Sequence, residues 1–482
     1  MHPQFTTDAL PVEPIAAWIP AFPAFIGLAL LLSGAWGTRT HIRASRALVV
    51  VLILGSVVRF LWMPIELHLF DGHEAEYFDI FRGERPLSRG SVMLYPALQW
   101  LYAGVGRIST NPWVLLSLSG AASLLSIAAT YGIGRRLMGA RSAWVAAAIV
   151  SIWGNHAFWA TSAYNVALPS AFGLVAVWAL LVCAEEETLA SAALASGAAV
   201  LAVSMRVECA LLAPVGLALW GLRRPQMKGA LLGILGLGAV LSGVAIAMIL
   251  NAGPLPGGEE RGLALGSNLT HLGFWAPFDG IGALLIVPAI VLGIRNRFGT
   301  TLVLVLFLVG LHGAISTFND AGFRHSVIGL WAIALLLGPL VEHRWGWGLL
   351  VLVLIRLGDH THDVASRYYL SEEDFRENLS EAPEFPQEKL SDCVLICEDS
   401  RLVPEGQQRS HFNLLYPNPD EDLWAEKGCV YWVFGVQDAR WSSRAVRDRA
   451  LRVLASFEVE EQGRITLSNG YVGSVLKVMA PQ

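Results

Sequence analysis

Apolar residues dominate the first three quarters of the chain, where they form blocks of roughly 17 to 25 residues separated by short polar connectors. A helix of that length crosses a hydrocarbon core about 30 Å thick, and it satisfies its own backbone hydrogen bonds in lipid. The sequence contains about twelve such blocks. The pattern therefore predicts an all-α polytopic membrane protein with about 12 transmembrane helices, which occupy residues 1–357.

The character of the chain changes near Gly358. Beyond this point acidic residues are frequent and no further spanning block occurs. Short runs of β-forming residues, at 393–397 and 430–434, predict strands, and a run at 442–456 predicts a helix. Residues 358–482 are therefore expected to form a small soluble α/β domain.

Three of the five cysteines lie in this C-terminal region. Cys393 and Cys397 are on the same face of one predicted strand and too far apart to bridge. The sequence does not decide whether one of them forms a disulfide with Cys429.

Composition excludes an ordinary soluble protein. The chain has 54% hydrophobic and 15% charged residues, whereas a soluble domain carries about 25% charged residues. The net charge of -5 combines basic connectors with an acidic C-terminal region. Nothing in this distribution indicates a nucleic-acid partner.

The basic residues of the short connectors predict the orientation, because Lys and Arg mark the cytoplasmic side. Every basic connector falls inside if the N-terminus is outside and residues 92–108 form a juxtamembrane helix that does not cross. The weakest point is the acidic connector Ala184–Glu187. The basic connectors are Arg39 to Arg46, Arg135 with Arg136 and Arg141, Arg223 with Arg224 and Lys228, Arg295 with Arg297, and His343 with Arg344.

This orientation places the first outer loop, residues 66–91, and the C-terminal domain on the non-cytoplasmic side. The loop holds the densest cluster of ionisable groups near the bilayer, in the run Phe70-Asp71-Gly72-His73-Glu74-Ala75-Glu76-Tyr77 and then Arg82 and Arg85. If Gly72 opens a helix, Asp71 lies near its positive N-terminal end. A carboxylate there can deprotonate an acceptor hydroxyl, and arginines can hold a phosphate. The alternative interpretation is a solvated interfacial loop without chemistry.

Four stretches, taken in order, resemble the GT-C superfamily of membrane glycosyltransferases. The similar branch comprises bacterial polyprenyl-phosphate-sugar transferases related to protein mannosyltransferases and to the enzyme that adds aminoarabinose to lipid A. In that branch the first loop begins with an Asp-Glu pair followed by a Tyr. The stretches are His73-Glu74-Ala75-Glu76-Tyr77, Tyr95-Pro96-Ala97-Leu98-Gln99-Trp100-Leu101, Met205-Arg206-Val207-Glu208 and Arg324-His325.

The resemblance implies site residues for this chain. The family's catalytic Asp falls on His73, so the base is either Asp71 or Glu74, and Tyr95 replaces a Lys that often precedes the Pro. The resemblance does not decide whether a divalent metal is required, and it assigns no metal ligands. The substrate-binding residues implied are His73, Tyr77, Arg82, Arg85, Tyr95, Arg206, Glu208, Arg324 and His325.

The resemblance also implies an activity. The expected function is inverting transfer of a sugar from a polyprenyl-phosphate donor to a glycan, lipid or protein acceptor, in contact with membrane lipids. The expected location is the bacterial inner membrane, with the active site on the periplasmic face. A lipid or solute transporter (a flippase included) and a non-catalytic membrane assembly protein are the alternatives. Convergence of Asp71, Arg206 and Arg324 on one outward cavity would favour the transferase.

Overall fold

The computed structural model describes most of the helical region and part of the C-terminal region. The described ranges are 14–38, 46–62, 72–87, 95–163, 166–223, 229–251, 278, 284–315, 323–368, 393–397, 409–410, 429–434, 451–466 and 472–479.

Helices account for almost all of the described residues before 369. The α-helices are α1 Pro14–Thr38, α2 Arg46–Trp62, α3 Gly72–Arg82, α4 Pro96–Gly106, α5 Trp113–Leu137, α6 Ala140–Ile152, α7 Gly154–Ala160, α8 Ala167–Glu186, α9 Leu189–Met205, α10 Leu212–Leu222, α11 Gly229–Asn251, α12 Val287–Ile315, α13 Leu330–Leu337 and α14 Gly346–Tyr368. Short 3-10 segments are Val207–Leu211, Phe323–Gly329 and Gly338–Glu342.

Among the described residues, five helices are long and apolar enough to cross a membrane. They belong to α1, α5, α8, α11 and α12, and shorter apolar helices lie between them. The chain is thus a mostly helical integral membrane protein. The predicted count of about 12 helices stays a prediction, because several apolar blocks are built from shorter pieces. For example, extended backbone at Trp153 separates α6 from α7, and a 3-10 segment precedes α10.

Helix α12 also contains a break. The backbone of Arg297 is non-helical, with φ -147° and ψ 54°. A methyl group on Gly293 would overlap the side chain of Thr301, although eight residues of straight helix would separate these positions by about 12 Å. The chain therefore reverses at Arg297, and α12 is a helical hairpin.

Basic connectors meet at one end of the bundle. Nε of Arg136, in the last turn of α5, lies 3.1 Å from Oε2 of Glu185, in the last turn of α8. Arg223, which follows α10, donates to the carbonyl oxygen of Arg136. The C-terminal ends of α5, α8 and α10 therefore share one face, called here the basic face. The acidic connector Ala184–Glu187 belongs to this face, where Arg136 balances the charge of Glu185.

The break in α12 also lies at the basic face. Nη2 of Arg297 donates to the carbonyl oxygen of Met138 at 2.9 Å and to Oε1 of Glu342 at 3.2 Å. Met138 follows α5, and Glu342 directly precedes the His343-Arg344 connector. The structure thus gathers connectors that the charge pattern assigns to the same side of the membrane.

Small residues allow α1 and α9 to pack closely. A methyl group on Gly34 of α1 would overlap the backbone of Leu194 in α9, and one on Gly197 of α9 would overlap the backbone of Leu31. Close backbone approach at small residues is a common way for helices to associate in lipid. This contact fixes α9, whose C-terminal end carries part of the candidate site.

Five strands form a mixed sheet in the C-terminal region. The strand order is β2-β1-β3-β5-β4, with β1 parallel to β2 and β3, and β5 antiparallel to β3 and β4. The helix predicted over 442–456 is described from residue 451 onwards, where residues 451–455 are helical and residue 456 is a turn. The strands are β1 Val394–Cys397, β2 Arg409–Ser410, β3 Val430–Phe434, β4 Val459–Thr466 and β5 Val472–Val478.

A hydrophobic core and a disulfide hold this sheet together. The side chain of Trp432 is fully buried and packs with Ile396 and Leu454, among others. Cys393 is bonded to Cys429, one of the pairings left open by the sequence. The bridge closes a loop with a sequence separation of 36 residues, for which the chain-entropy model gives a stabilisation of about 4 kcal/mol.

Candidate functional site

Two short helices, α3 and α4, build one side of the candidate site. Helix α3 begins at Gly72, the start that the sequence analysis considered, and ends at Arg82. The next residue, Gly83, has a φ of +77°, which suits a glycine directly after a helix. Helix α4 has 11 residues, a length of about 16 Å that is too short to cross a bilayer. A methyl group on Gly106 would overlap the carbonyl oxygen of Phe81, so the two helices are in close contact.

Aromatic residues fix the contact between these helices. The rings of Tyr77 and Tyr102 are edge to face, with centroids 5.3 Å apart. The hydroxyl of Tyr102 donates to the carbonyl oxygen of Ala163 at 2.9 Å. The backbone N–H of Tyr95 donates to the hydroxyl oxygen of Tyr77 at 3.1 Å. Tyr77 therefore ties α3 to the segment that opens α4.

A buried ion pair faces this segment. Helix α9 ends at Met205, and Arg206 has extended backbone that turns the chain into the 3-10 segment containing Glu208. Nη2 of Arg206 lies 3.3 Å from Oε1 of Glu208, and the two side chains are 5% and 11% exposed. The hydroxyl of Tyr95 donates to Oε2 of Glu208 at 3.3 Å. These residues, with Tyr77, are called here the Glu208 cluster.

Burial and a neighbouring carboxylate keep the Tyr95 hydroxyl protonated. Burial raises the pKa of this hydroxyl well above its ordinary value, and the nearby carboxylate of Glu208 raises it further. A protonated hydroxyl donates, and both oxygens of the Glu208 carboxylate are thereby engaged. The cluster combines a fixed cation, a fixed carboxylate and a phenol at one place, which is a chemical set able to hold a phosphate or a sugar hydroxyl.

The Glu208 cluster lies at the end of α9 opposite the basic face. Helix α9 begins three residues after Glu186, the last residue of α8, and Arg206 follows its 17 residues. That length separates the two ends by about 25 Å. The candidate site and the basic connectors are therefore at opposite ends of the helical bundle.

The structure brings together four of the residues that the resemblance implies, namely Tyr77, Tyr95, Arg206 and Glu208. Arg82 is exposed at the end of α3, and the backbone N–H of Arg85 donates to the carbonyl oxygen of Asp79 at 3.2 Å.

The remaining predicted site residues are only partly described. Asp71 lies outside the described residues, so the expected convergence of Asp71, Arg206 and Arg324 stays a prediction. The backbones of His73 and Glu74 are in α3, and those of Arg324 and His325 are in a 3-10 segment, but their side chains lie outside the described part. Where side chains are described, no three His, Cys, Asp or Glu residues are grouped as metal ligands.

Sequence reasoning missed Tyr102 and a buried arginine, Arg59. Tyr102 stands seven residues after Tyr95 in α4, and two helical turns place such residues on one face. Arg59 is the only charged residue within the apolar run from Ala47 to Ile65. An ionised residue inside a predicted span is itself a signal of function.

The fold and the site define an integral membrane protein with a buried polar cluster at the end opposite its basic connectors. No protein-family model matches the sequence, and no curated protein matches it either. Solved structures that align with the chain include the two described below, both with TM-scores below 0.5.

One similar structure is ArnT from Cupriavidus metallidurans bound to undecaprenyl phosphate, with a TM-score of 0.49 and 13% identity, over 90% of this chain and 99% of that chain. Another is the archaeal oligosaccharyltransferase AglB from Archaeoglobus fulgidus, in complex with an inhibitory peptide and a dolichol-phosphate. It has a TM-score of 0.47 and 12% identity, over 89% of this chain and 73% of that chain. The function proposed below rests on this chain's own residues.

Proposed function

We propose that the protein is a membrane glycosyltransferase that moves a sugar from a polyprenyl-phosphate donor to an acceptor at the outer face of the bacterial inner membrane. The observation that carries the proposal is the Glu208 cluster. It places a buried arginine and a buried carboxylate beside α4, at the end of the helical bundle opposite the basic face.

The proposed reaction is a direct displacement at the anomeric carbon. Asp71 or Glu74 takes the proton of an acceptor hydroxyl, and the hydroxyl oxygen forms a bond to that carbon. The bond from the carbon to the phosphate oxygen breaks, and polyprenyl phosphate leaves. One displacement inverts the configuration. Arg206, with Arg324 from the 3-10 segment, binds the phosphate, and a guanidinium suits this role because it donates two parallel hydrogen bonds.

Roles for the other residues follow from their contacts. Glu208 holds the guanidinium of Arg206, and Tyr95 holds Glu208 through its protonated hydroxyl. Tyr77 connects this group to α3, which carries His73, Glu74 and, at its end, Arg82. His325 and Arg85 belong to the same proposed substrate surface. No step requires a metal, and a divalent ion near the first loop stays open.

Donor recognition can be tested by binding. The purified full-length protein in nanodiscs should be stabilised by polyprenyl phosphate but not by the matching polyprenol, because only the former carries an anion for Arg206. Arg206→Met should weaken this effect at least tenfold in the concentration required. The control is Arg223→Met at the basic face, which should bind as the wild type does. Equal stabilisation by polyprenol, or an unchanged response of Arg206→Met, would contradict the proposal.

The site and the C-terminal domain are proposed to share the non-cytoplasmic side. Two independent features support this topology. The basic face marks the cytoplasmic end, and the Cys393–Cys429 disulfide is typical of an oxidising compartment.

Cysteine labelling measures this topology directly. Ser91→Cys and Gln482→Cys should both react with a membrane-impermeant maleimide in intact cells, above the background of the parent chain. Arg141→Cys, at the basic face, should react only after the membrane is permeabilised. Protection of either outer position in intact cells would overturn the assignment.

A further inference from the structure

Arg59 is buried in the apolar helix α2 and is 4% exposed. Its guanidinium donates from Nε to Oγ of Ser123 at 3.0 Å, and from Nη1 to the carbonyl oxygens of Gly55, at 3.3 Å, and of Ser151. Nη2 lies 2.6 Å from Nδ1 of His156. The acceptors come from α2 itself and from α5, α6 and α7, so one side chain connects four helices.

All of these acceptors are neutral. Because Arg59 donates to Nδ1 of His156, the imidazole carries its own proton on Nε2. Among the residues that the structure describes, no carboxylate pairs with Arg59. Arg59 lies in the last turn of α2 and is the one charged residue in the apolar run from Ala47 to Ile65. A buried guanidinium without a carboxylate partner is costly, and a charge within an apolar run is a candidate functional group.

Asn155, the residue before His156, contacts a different segment of the chain. Nδ2 of Asn155 donates to Oγ of Ser326 at 3.3 Å, and both side chains are buried. Ser326 comes directly after Arg324 and His325 in its 3-10 segment. The short helix α7 is buried along its whole length. Two successive residues of α7 therefore join α2 to the segment that carries Arg324.

We propose that Arg59, His156, Asn155 and Ser326 form a positioning chain for the transfer reaction. At one end, α2 leads into the first loop and hence to Asp71 and Glu74. At the other end is the Arg324-His325 segment. These four residues anchor the C-terminal end of α2, from which the chain continues to the first loop, to the segment that carries Arg324, and none of the four is a proposed substrate ligand. This inference rests on the proposed function.

A misplaced catalytic group lowers turnover more than binding. Displacement of a reacting group by about 1 Å can cost a factor of about 10². Donor binding keeps Arg206 of the Glu208 cluster, which is built on α4 and α9, and loses only part of the contribution of Arg324. Loss of Arg59 should therefore lower kcat more than it raises KM for the donor. A purely structural role predicts a fall in thermal stability with kcat unaffected in the folded fraction.

Matched variants of the full-length protein separate these outcomes. Arg59→Met should lower kcat by about 10², with a smaller rise in KM for the donor. Arg59→Lys, which keeps the charge but not the planar fork of donors, should recover only part of the loss. Arg46→Met, at the exposed start of the same helix, is the control and should behave as the wild type. Asn155→Leu and Ser326→Ala should each lower kcat, and their combination should lower it no further than the stronger single variant.

Hydrogen exchange gives a readout that does not need activity. In Arg59→Met, peptides covering residues 63–76 and peptides covering 316–326 should both exchange faster, whereas Arg46→Met should change neither. Faster exchange in the first set alone, additive effects of Asn155→Leu and Ser326→Ala, or a loss confined to KM would overturn the positioning chain. Absence of transfer by the wild type, with coupled exchange intact, would instead reject the proposed function and leave the structural link standing.

Discussion

Asp71→Asn is expected to lower turnover by at least about 10², because a positioned general base typically contributes a factor of about 10² to 10⁴. Asp71 directly precedes Gly72, the first residue of α3, and a residue at that position can also cap the helix. Asparagine caps a helix as well as aspartate does. The variant therefore removes the base while it preserves the cap, and donor binding and membrane insertion should stay nearly unchanged.

Glu74→Gln serves as the matched variant. Asp71 and Glu74 have the spacing of a capping box, in which glutamine can replace glutamate. If Asp71 is the base, Glu74→Gln should lower turnover less than Asp71→Asn does. If Glu74 has taken over the role, the order should be reversed. Transfer of a radiolabelled sugar in membranes measures both, and a large loss of protein from the membrane fraction in either variant would favour the capping role instead.

Glu208→Gln is expected to cause the second large effect. The ion pair between Arg206 and Glu208 is almost fully buried, and removal of one partner from a buried pair costs about 3 to 5 kcal/mol, since the remaining charge is unpaired. The thermal midpoint in detergent should fall clearly. Glu185→Gln is the control, because its pair with Arg136 is 38% exposed on the carboxylate side and exposed pairs contribute about 0 to 1 kcal/mol.

A double variant distinguishes stability from function at this pair. Replacement of a buried ion pair by apolar residues is often neutral, so Arg206→Met combined with Glu208→Leu should recover much of the lost stability. Transfer activity should not recover, because the guanidinium that binds phosphate is absent. Recovery of both together would mean that the pair has only a structural role.

Much of the architecture could be predicted from local patterns. The two strands that hold Cys397 and Trp432 follow from runs of β-forming residues and are confirmed as β1 and β3. Gly72, which the sequence analysis considered as the opening of a helix, is the first residue of α3. The acidic connector, the weakest part of the charge pattern, is accounted for by the contact between Glu185 and Arg136, which no local pattern reveals.

The candidate site was harder to predict because its contacts are distant in sequence. Tyr95 and Glu208 are 113 residues apart, and only the order of family-like stretches suggested that they meet. The network around Arg59 combines residues from four helices, and among them only Arg59, a charge within an apolar run, stands out in its own segment. The hairpin at Arg297 was indicated only by two arginines in an apolar run, since helix propensity does not record where a helix reverses.

Transfer of labelled sugar from a polyprenyl-phosphate donor, by purified protein in proteoliposomes, tests the central claim most directly. The account predicts that the wild type releases polyprenyl phosphate and forms a glycosylated acceptor with inverted configuration, and that the Asp71→Asn, Glu74→Gln double variant loses this activity although it still binds donor. Full activity in the double variant would rule out catalysis by the first loop. Movement of intact donor across the bilayer without transfer would contradict the account and favour a transporter.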